Sequence, residues 1–588
     1  MIKAQHPLFQ EVIVMMENWK TALDQWLQSP FLSQDEKNTL SSSSPETLSP
    51  TFQSALSFGT AGLRGIAALG PGGVNRFTIT QAALAFGRFL LSSQGEEVRQ
   101  KGICLCRDCR LSSPELAQAA QQAFTSLGIP VHFFTEPRPT PELSFAVIHT
   151  GAAGGMNITS SHNTKKYNGC KLYSHTGAQL TDEECAAVSQ EMARISLPCA
   201  LPKGDASLVI PLGEETDKTY LDALIQDIPP VSLPEDRARL RIVYTPLHGV
   251  GGLLLPRLLK EQGFTDLHCV SSQMEPDGTF PTAPAPNPEN PETFHLALEE
   301  ARRIGAHLII ATDPDADRVA FQVLHQGEYH SLSGHQAGSL LTDFLLSALE
   351  DHQASPLPPL VIKSIVTTKL AAAIAQSHGA QCIDTFTGFK NMAPLACQLE
   401  QEGKGRCIIA FEEAIGCMIG SHCRDKDGLA AALAFCHLAA CLLAKGQSPL
   451  DRLGQLFAAF GCYLEDAISL SFSGENAQAR MAQTMQQLRQ HPPRHLGSLP
   501  VACWRDYKSG LCHSLTENET KPLSLRGADM VYYELVSGTA LAIRPSGTEP
   551  KIKCYLLAHS HSRAQAMEQL TSLRQAVPLL LNTDQAPV

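Results

Sequence analysis

A chain of 588 residues is too long for one hydrophobic core, and a spacing of about one domain per ~150 residues predicts roughly four. With 43% hydrophobic and 18% charged residues and no apolar run long enough to span a bilayer, the composition is that of a soluble globular protein and excludes a membrane-embedded or disordered one. A net charge of -12 argues against a nucleic-acid partner, so an anionic substrate would need a locally basic cleft.

The N-terminal stretch from Met1 to Lys20 lacks the basic start, long apolar core and small-residue cleavage site of a secretion signal, and the expected location is the cytoplasm. The eighteen cysteines are scattered and are expected to be reduced, mostly buried thiols. The densest group, Cys104, Cys106 and Cys109, has no matching second pair, and Cys104 and Cys106 share one side of a predicted strand, which argues against zinc.

In chain order, residues 1–50 read as a helical extension, with helical spacing through Trp19, Leu23 and Trp26 and a loop around Ser41 to Pro45. The stretch FGTAGLRG, Phe58 to Gly65, offers three glycines where the backbone can approach a ligand, and Arg64 either contacts phosphate or is a surface arginine in a flexible loop. Residues 51–212 alternate strand and helix: Ile103 to Cys106, Pro114 to Leu127, Val131 to Phe134 and a helix near Pro141 to Thr150. The same grammar returns over 213–343, with strands Leu240 to Tyr244, Leu267 to Val270 and His307 to Ala311, and over 344–460, with strands Leu360 to Ile365, Gln381 to Asp384 and Cys407 to Phe411. Residues 461–588 differ, with a helix near Gln478 to Gln490, alternating strands around Met530 to Tyr533, Ala540 to Ile543 and Ile552 to Leu557, and a closing helix, as in a smaller α+β domain.

The chemistry concentrates in short stretches after strands. GMNITSSHNTKKYNGCK, Gly155 to Lys171, runs from a strand into a turn with hydroxyls, an imidazole and lysines before Asn168-Gly169 is expected to turn the chain back. This suits a nucleophile that handles phosphate, although serine and asparagine are also ordinary turn formers. TDPDADR, Thr312 to Arg318, places three carboxylates at alternate positions beyond a strand, where they can converge on one divalent cation, with Mg²⁺ the natural guest. An EF-hand fails because Arg318 and Leu324 stand where glycine and glutamate are required, whereas a phosphatase with Asp313 as nucleophile stays open. Thr387 to Lys390 and FEEAIG, Phe411 to Gly416, follow two further strands, and the adjacent carboxylates either accept sugar hydroxyls or open a helix. Lys426, flanked by Asp425 and Asp427, is a structural lysine or a proton carrier. Arg544 to Pro550 supplies a guanidinium, hydroxyls and a glycine backbone in one loop, which either clamps a phosphate or is only a turn.

Taken together and in this order, these stretches resemble the α-D-phosphohexomutase superfamily over Phe58 to Tyr555. FGTAGLRG, FEEAIG, RDKDG and RPSGTEPKIKCY are closest to its branch of phosphoglucomutases and larger-type phosphopentomutases. The resemblance implies four domains around a central cleft, three related α/β units with mixed sheets and a smaller C-terminal α+β domain. It implies that Ser161 carries phosphate and that Asp313, Asp315 and Asp317, with Ser161, hold Mg²⁺. Arg64, His162, Lys171 and Arg318 would line the transfer site, with Lys171 and Lys426 as acid/base groups. Gly388 and Glu412 would contact the sugar, and Arg544, Ser546, Gly547 and Thr548 would clamp the phosphate that is not transferred. The implied reaction interconverts glucose 1-phosphate and glucose 6-phosphate through hexose 1,6-bisphosphate, which also serves as activator. Pentose or mannose phosphate mutases and glucose-1,6-bisphosphate synthesis are the neighbouring readings, and a non-catalytic sugar-phosphate binder is one from another class. Sugar phosphates are then the partners, with no nucleic acid or membrane, in a monomer or dimer. Two residues depart from the pattern. Thr164 stands where many relatives have proline, and Ala414 stands where the better-known phosphoglucomutases have serine, which touches the choice of sugar more than the reaction.

Overall fold

The computed structural model describes residues 19–59, 62–350, 357–472, 476–546 and 551–581. The chain divides into two compact units, one of Met1–Ile228, Arg237–Gln322 and Cys417–Leu433, the other of Pro229–Asp236, Val323–Gly416 and Ala434–Val588. Among the described residues, no single helix is long and apolar enough to cross a membrane.

In the first unit, the described part of the N-terminal extension is packed down. Trp26 is 1% exposed and meets Phe52 and Phe77 edge-on, so these helices share a core with the long helix Arg76–Gln94. The serine-rich stretch expected to be a loop is only a break. Ser41 and Ser42 close the helix Gln34–Ser42, and Pro45 opens Pro45–Phe52, where its missing N–H costs nothing.

A seven-stranded mixed sheet follows, in the order Phe58–Gly59, Gly62–Ile66, Tyr167–Ser174, Gly154–Ile158, Ile103–Arg107, Val131–Phe134 and Val209–Leu212. Gly154–Ile158 pairs parallel to Ile103–Arg107 on one side and antiparallel to Tyr167–Ser174 on the other. The loops after Ile158 and Arg107 therefore leave the same edge of the sheet, where ligands bind in open α/β sheets. Two expectations change here. Arg64 lies on a strand instead of a flexible loop, opposite Gly169. Asn168-Gly169 does not turn the chain but sits inside Tyr167–Ser174. Glycine is required there because the Leu63 carbonyl would lie 2.1 Å from any Cβ.

The second sheet is built on parallel strands Leu267–Cys269, Ile242–Thr245 and Leu308–Thr312, beside which Val319–His325 carries the chain into the second unit. In that unit, Pro359–Ser364 lies between Gln381–Thr385 and Arg406–Glu412, all parallel. The C-terminal sheet is antiparallel, ordered Cys462–Ser471, Lys551–Ser560, Ala540–Pro545, Val531–Leu535, Leu499–Asp506, Leu511–Ser514 and Glu519–Pro522. Both faces of its centre are buried, as the period of two sorts its side chains. Val531, Tyr533, Leu541, Ile543, Cys554 and Leu556 pack under the helices Ala477–Gln490 and Arg563–Leu580. Tyr532, Ala540, Ala542, Tyr555 and Leu557 pack against Ile365 and Val366 at the end of Pro359–Ser364.

Candidate active site

Immediately after Gly154–Ile158 the chain turns through Thr159, Ser160 and Ser161, all essentially buried. The Thr159 hydroxyl accepts the Ser161 N–H at 2.9 Å, which bends the chain. Ser161 takes φ 51°, a left-handed conformation that a non-glycine residue keeps only when its surroundings enforce it.

The enforcing group is Arg110, 2% exposed, on the loop after Ile103–Arg107. Its Nη2 donates to the carbonyls of Ser161 and Asn163 at 2.7 and 2.6 Å, and its Nη1 to those of Thr164 and Tyr167, both at 2.9 Å. Its Nε donates to Asp108 Oδ2 at 3.0 Å, so all five guanidinium N–H groups are used. Asp108 is held in turn by the Ser113 hydroxyl at 2.6 Å.

The Ser161 hydroxyl donates to Asp313 Oδ2 at 2.8 Å and lies 3.2 Å from His162 Nδ1. Burial, with the charges of Arg318 and Arg64, lowers the His162 imidazole to about 3 and keeps it neutral. Arg64 Nη1 donates to Asn163 Oδ1 at 3.3 Å, so this strand arginine faces the serine turn.

Asp313, Asp315 and Asp317 follow Leu308–Thr312 in a turn with Ala316 at φ 57°. Their carboxylates are buried, with one oxygen of each within 4.8 Å of the others. Asp315 Oδ2 accepts from Thr140 at 2.8 Å, Thr159 at 3.1 Å and Lys171 Nζ at 2.8 Å, and Lys171 also reaches Asp317 Oδ2 at 2.5 Å. Burial opposes charge on every member of the trio. On Asp315 and Asp317 the Lys171 cation outweighs it and holds them below the usual carboxylate range. Asp313 is pushed well up by burial and by its two acidic neighbours, which outweigh the Arg318 charge and the Ser161 hydroxyl.

The donor set suits a hard divalent cation. Asp315 Oδ1 and Asp317 Oδ1 are buried without a hydrogen-bond partner, and Asp313 and the Ser161 hydroxyl add further oxygen donors beside them.

Lys426 Nζ stands 3.3 Å from both Asp317 Oδ2 and Asp425 Oδ1. Asp425 is anchored by Tyr173 at 2.7 Å and Gln179 at 2.8 Å. Asp427 accepts the N–H groups of Leu429 and Ala430, the Tyr220 hydroxyl and His422 Nε2, capping the helix that begins at Gly428. The Gly428 N–H donates to the Ala316 carbonyl at 3.1 Å, which ties this loop to the aspartate turn. Arg318 lies 3.7 Å from Glu289 and 3.9 Å from Asp317. The first unit thus brings together Arg64, Ser161, His162, Lys171, the three aspartates, Arg318 and Lys426.

The second unit carries the other group. Glu412 ends strand Arg406–Glu412 and accepts the Gly388 N–H at 3.2 Å. A turn with Ile415 at φ 50° then leads into Gly416–Ile419, so FEEAIG opens a strand and not a helix. Glu413 has a different task, since its Oε2 accepts from Ser364 at 2.9 Å and Thr367 at 3.3 Å. Arg544 Nε and Nη2 donate to the Tyr555 hydroxyl at 3.2 and 3.0 Å, and the Ser546 N–H donates to the Lys551 carbonyl at 2.7 Å. Gly547 and Thr548 lie outside the described residues.

Sequence reasoning passed over Arg110, Asp108, Thr140, Thr159 and Tyr173. The signal for the first two was present in Asp108-x-Arg110 directly after a strand, whereas Thr140 opens a helix with no motif of its own and Tyr173 lies two residues past Lys171, beyond the end of the Gly155 to Lys171 motif.

Comparison with known proteins agrees with this layout. Models of phosphoglucomutase/phosphomannomutase α/β/α domains I, II and III match residues 55–198, 218–326 and 333–460. A phosphoglucomutase of Staphylococcus epidermidis is 33% identical over 549 residues, covering 92% of this chain and 96% of its own. One of Staphylococcus aureus is 32% identical over 512 residues, covering 86% and 90%. Among solved structures, a putative phosphomannomutase of Thermus thermophilus superposes with a TM-score of 0.65 at 22% identity, over 90% of this chain and 99% of that one. The Paramecium phosphoglucomutase parafusin in its open form gives 0.64 at 16% identity, over 90% and 94%. Three matched domains in order and a third of all positions identical across nearly the whole length lead to one conclusion: the chain belongs to the phosphoglucomutase/phosphomannomutase family of the α-D-phosphohexomutases.

Proposed function

We propose that the protein is a Mg²⁺-dependent phosphoglucomutase, an isomerase that interconverts glucose 1-phosphate and glucose 6-phosphate by way of a phosphoserine at Ser161. The observation that carries this reading is the Ser161 hydroxyl, fixed 2.8 Å from Asp313 in a buried turn, with Arg64, Lys171, Arg318 and Lys426 and the aspartate trio around it. The phosphoglucomutase names of the relatives support it.

Asp313, Asp315, Asp317 and the serine oxygen would hold the cation, which when bound neutralises charge on the transferring phosphoryl group. The remaining work falls to the chain. A sugar hydroxyl attacks phosphorus of the phosphoserine, the bond from phosphorus to Ser161 Oγ breaks, and the proton lost by the sugar hydroxyl is matched by the one gained at Ser161. Lys171, kept charged because Asp315 and Asp317 outweigh its burial, opposes the negative charge of the group in flight. Arg64 and Arg318 add to that field, and Lys426 stands where a proton on the sugar side can be exchanged. Neutral His162 can hydrogen-bond the serine oxygen without competing as a cation. Hexose 1,6-bisphosphate then turns over and returns its other phosphate to Ser161, while Glu412 and Gly388 read sugar hydroxyls and Arg544 with Ser546 to Thr548 grip the resting phosphate. Free bisphosphate would prime the serine, and the enzyme would work in the cytoplasm.

Against Asp313 as a phosphatase nucleophile, both of its oxygens are engaged, Oδ2 by Ser161 and Oδ1 by the Arg318 N–H at 3.0 Å. The deciding experiment measures kcat/KM for glucose, mannose and ribose 1-phosphates side by side in Mg²⁺ with a trace of hexose bisphosphate. A clear preference for glucose is expected. Preference for ribose or mannose would keep the chemistry and change the sugar, and no turnover of any would overturn the reading.

A further inference from the structure

A cavity of about 560 Å³ opens in the second unit, between the buried face of the C-terminal sheet and the edge strand Gln381–Thr385. It lies within the range of about 300–1,000 Å³ that small-molecule sites occupy. None of its lining residues belongs to the site described above.

Its walls carry three cations, Lys363, Lys369 and Arg505, against two carboxylates, Asp384 and Glu534. An excess of positive charge in a half-enclosed cavity stands out in a chain of net charge -12. Lys363 and Lys369 flank one turn between strand Pro359–Ser364 and the next helix, and Arg505 reaches the cavity from strand Leu499–Asp506. Lys363 is 2% exposed and anchored, donating to the Ser364 and Thr367 carbonyls and pairing with Asp384 at 2.8 Å. Lys369 and Arg505 share one carboxylate, Glu534, with Lys369 at 2.7 Å, and the Arg505 guanidinium lies over the Tyr532 ring, 5.1 Å from its centre. Two cations on one carboxylate leave a positive charge to be balanced at the cavity wall.

We propose that this cavity is a second ligand site, which takes a small phosphomonoester carried on a hydroxylated carbon frame. Lys369 and Arg505 meet the phosphate, for which an arginine fork and a lysine point charge are suited. Asp384 and Glu534 are acceptor-only groups and receive hydroxyls of the frame. The site is linked to the sugar-contact loop, because Ser364 and Thr367, whose carbonyls hold Lys363, also hold Glu413 through their hydroxyls. Sugar phosphates and nucleoside monophosphates both have this chemistry, and the test separates them.

The test is isothermal titration of the full-length protein with glucose 6-phosphate and, separately, with AMP, in wild type, Ser524→Trp and Lys369→Met/Arg505→Met. Ser524 is an exposed residue of the lining, so tryptophan there fills the cavity without removing a charge and keeps the test decisive if the double variant folds poorly. The expected result is a binding event in wild type that Ser524→Trp abolishes and the double variant weakens at least tenfold. If the source is a sugar phosphate, glucose 6-phosphate shows this event as a second site beyond the reaction cleft; if it is a nucleotide, AMP shows it. One glucose 6-phosphate site that both variants leave unchanged, together with no AMP binding that depends on Ser524, overturns the proposal.

Discussion

Arg110 and Ser161 are joined through the main chain: the guanidinium donates at 2.7 Å to the carbonyl of the serine, whose hydroxyl faces Asp313, and at 2.6 to 2.9 Å to three further carbonyls of the same turn. One buried side chain thus holds the serine in its left-handed conformation without touching its reactive oxygen.

Replacing Arg110 by Met leaves Asp108 buried without its counter-charge and four carbonyls without their donor. The expected cost is about 3–5 kcal/mol, the usual scale for breaking a buried charge pair. Thermal unfolding measures that loss. In the protein that stays folded, kcat should fall ~10²-fold with KM for sugar phosphate little changed, because the arginine positions the serine and does not bind the sugar. A KM effect alone would refute the positioning role.

Ser161→Ala and Asp313→Asn separate the mutase from an aspartate-nucleophile phosphatase. If Ser161 carries the phosphoryl group, alanine removes all acid-stable phosphate from the protein and lowers kcat by ~10³-fold or more. Asp313→Asn should cut the rate while the phosphoserine remains detectable by intact mass. Retained turnover in Ser161→Ala with none in Asp313→Asn would reverse the assignment.

What could be read from the sequence tracks how local each device is. Ser161, His162 and the aspartate trio each sit in a few consecutive residues after a strand, where the hydroxyl and carboxylates announce themselves. Arg110 acts on carbonyls 51 to 57 residues away, and carbonyls leave no mark in a sequence. Asn168-Gly169 carries the strongest turn signal in its stretch, yet the glycine answers to the Leu63 carbonyl of the neighbouring strand, a contact no local pattern encodes. Glu412 and Glu413 look equivalent as letters. Only the fold gives the second one to Ser364 and Thr367.

That division yields a paired prediction. Glu413→Gln weakens the hydrogen bonds from Ser364 and Thr367 and should cost about 1–2 kcal/mol of stability, with a modest effect on turnover. Glu412→Gln should leave the melting temperature within a degree or two but lower kcat/KM by ~10–100-fold, since an amide can accept fewer sugar hydroxyls than a carboxylate. Melting curves and steady-state kinetics on the two variants check this. The reverse pattern would mean that Glu413, and not Glu412, meets the sugar.

Glu465 gives a pH dependence with a definite sign. On strand Cys462–Ser471 it stands opposite Leu557, and burial raises its carboxyl from 4.5 to about 7, despite the Thr368 hydroxyl and the Lys363 charge, which pull the other way. The folded state then holds a proton that the unfolded chain has already released. The stability tied to this group is therefore full below about pH 4.5 and is lost as pH rises through about 7. Glutamine mimics the protonated form at every pH. Glu465→Gln should melt with wild type at about pH 4 and a few degrees above it at about pH 8, the gap opening between about pH 4.5 and pH 7 in a fluorimetric melting series. Parallel curves for the two proteins across that range would show that the carboxyl titrates in the folded protein as it does in the unfolded chain, and that strand Cys462–Ser471 does not shield it from water.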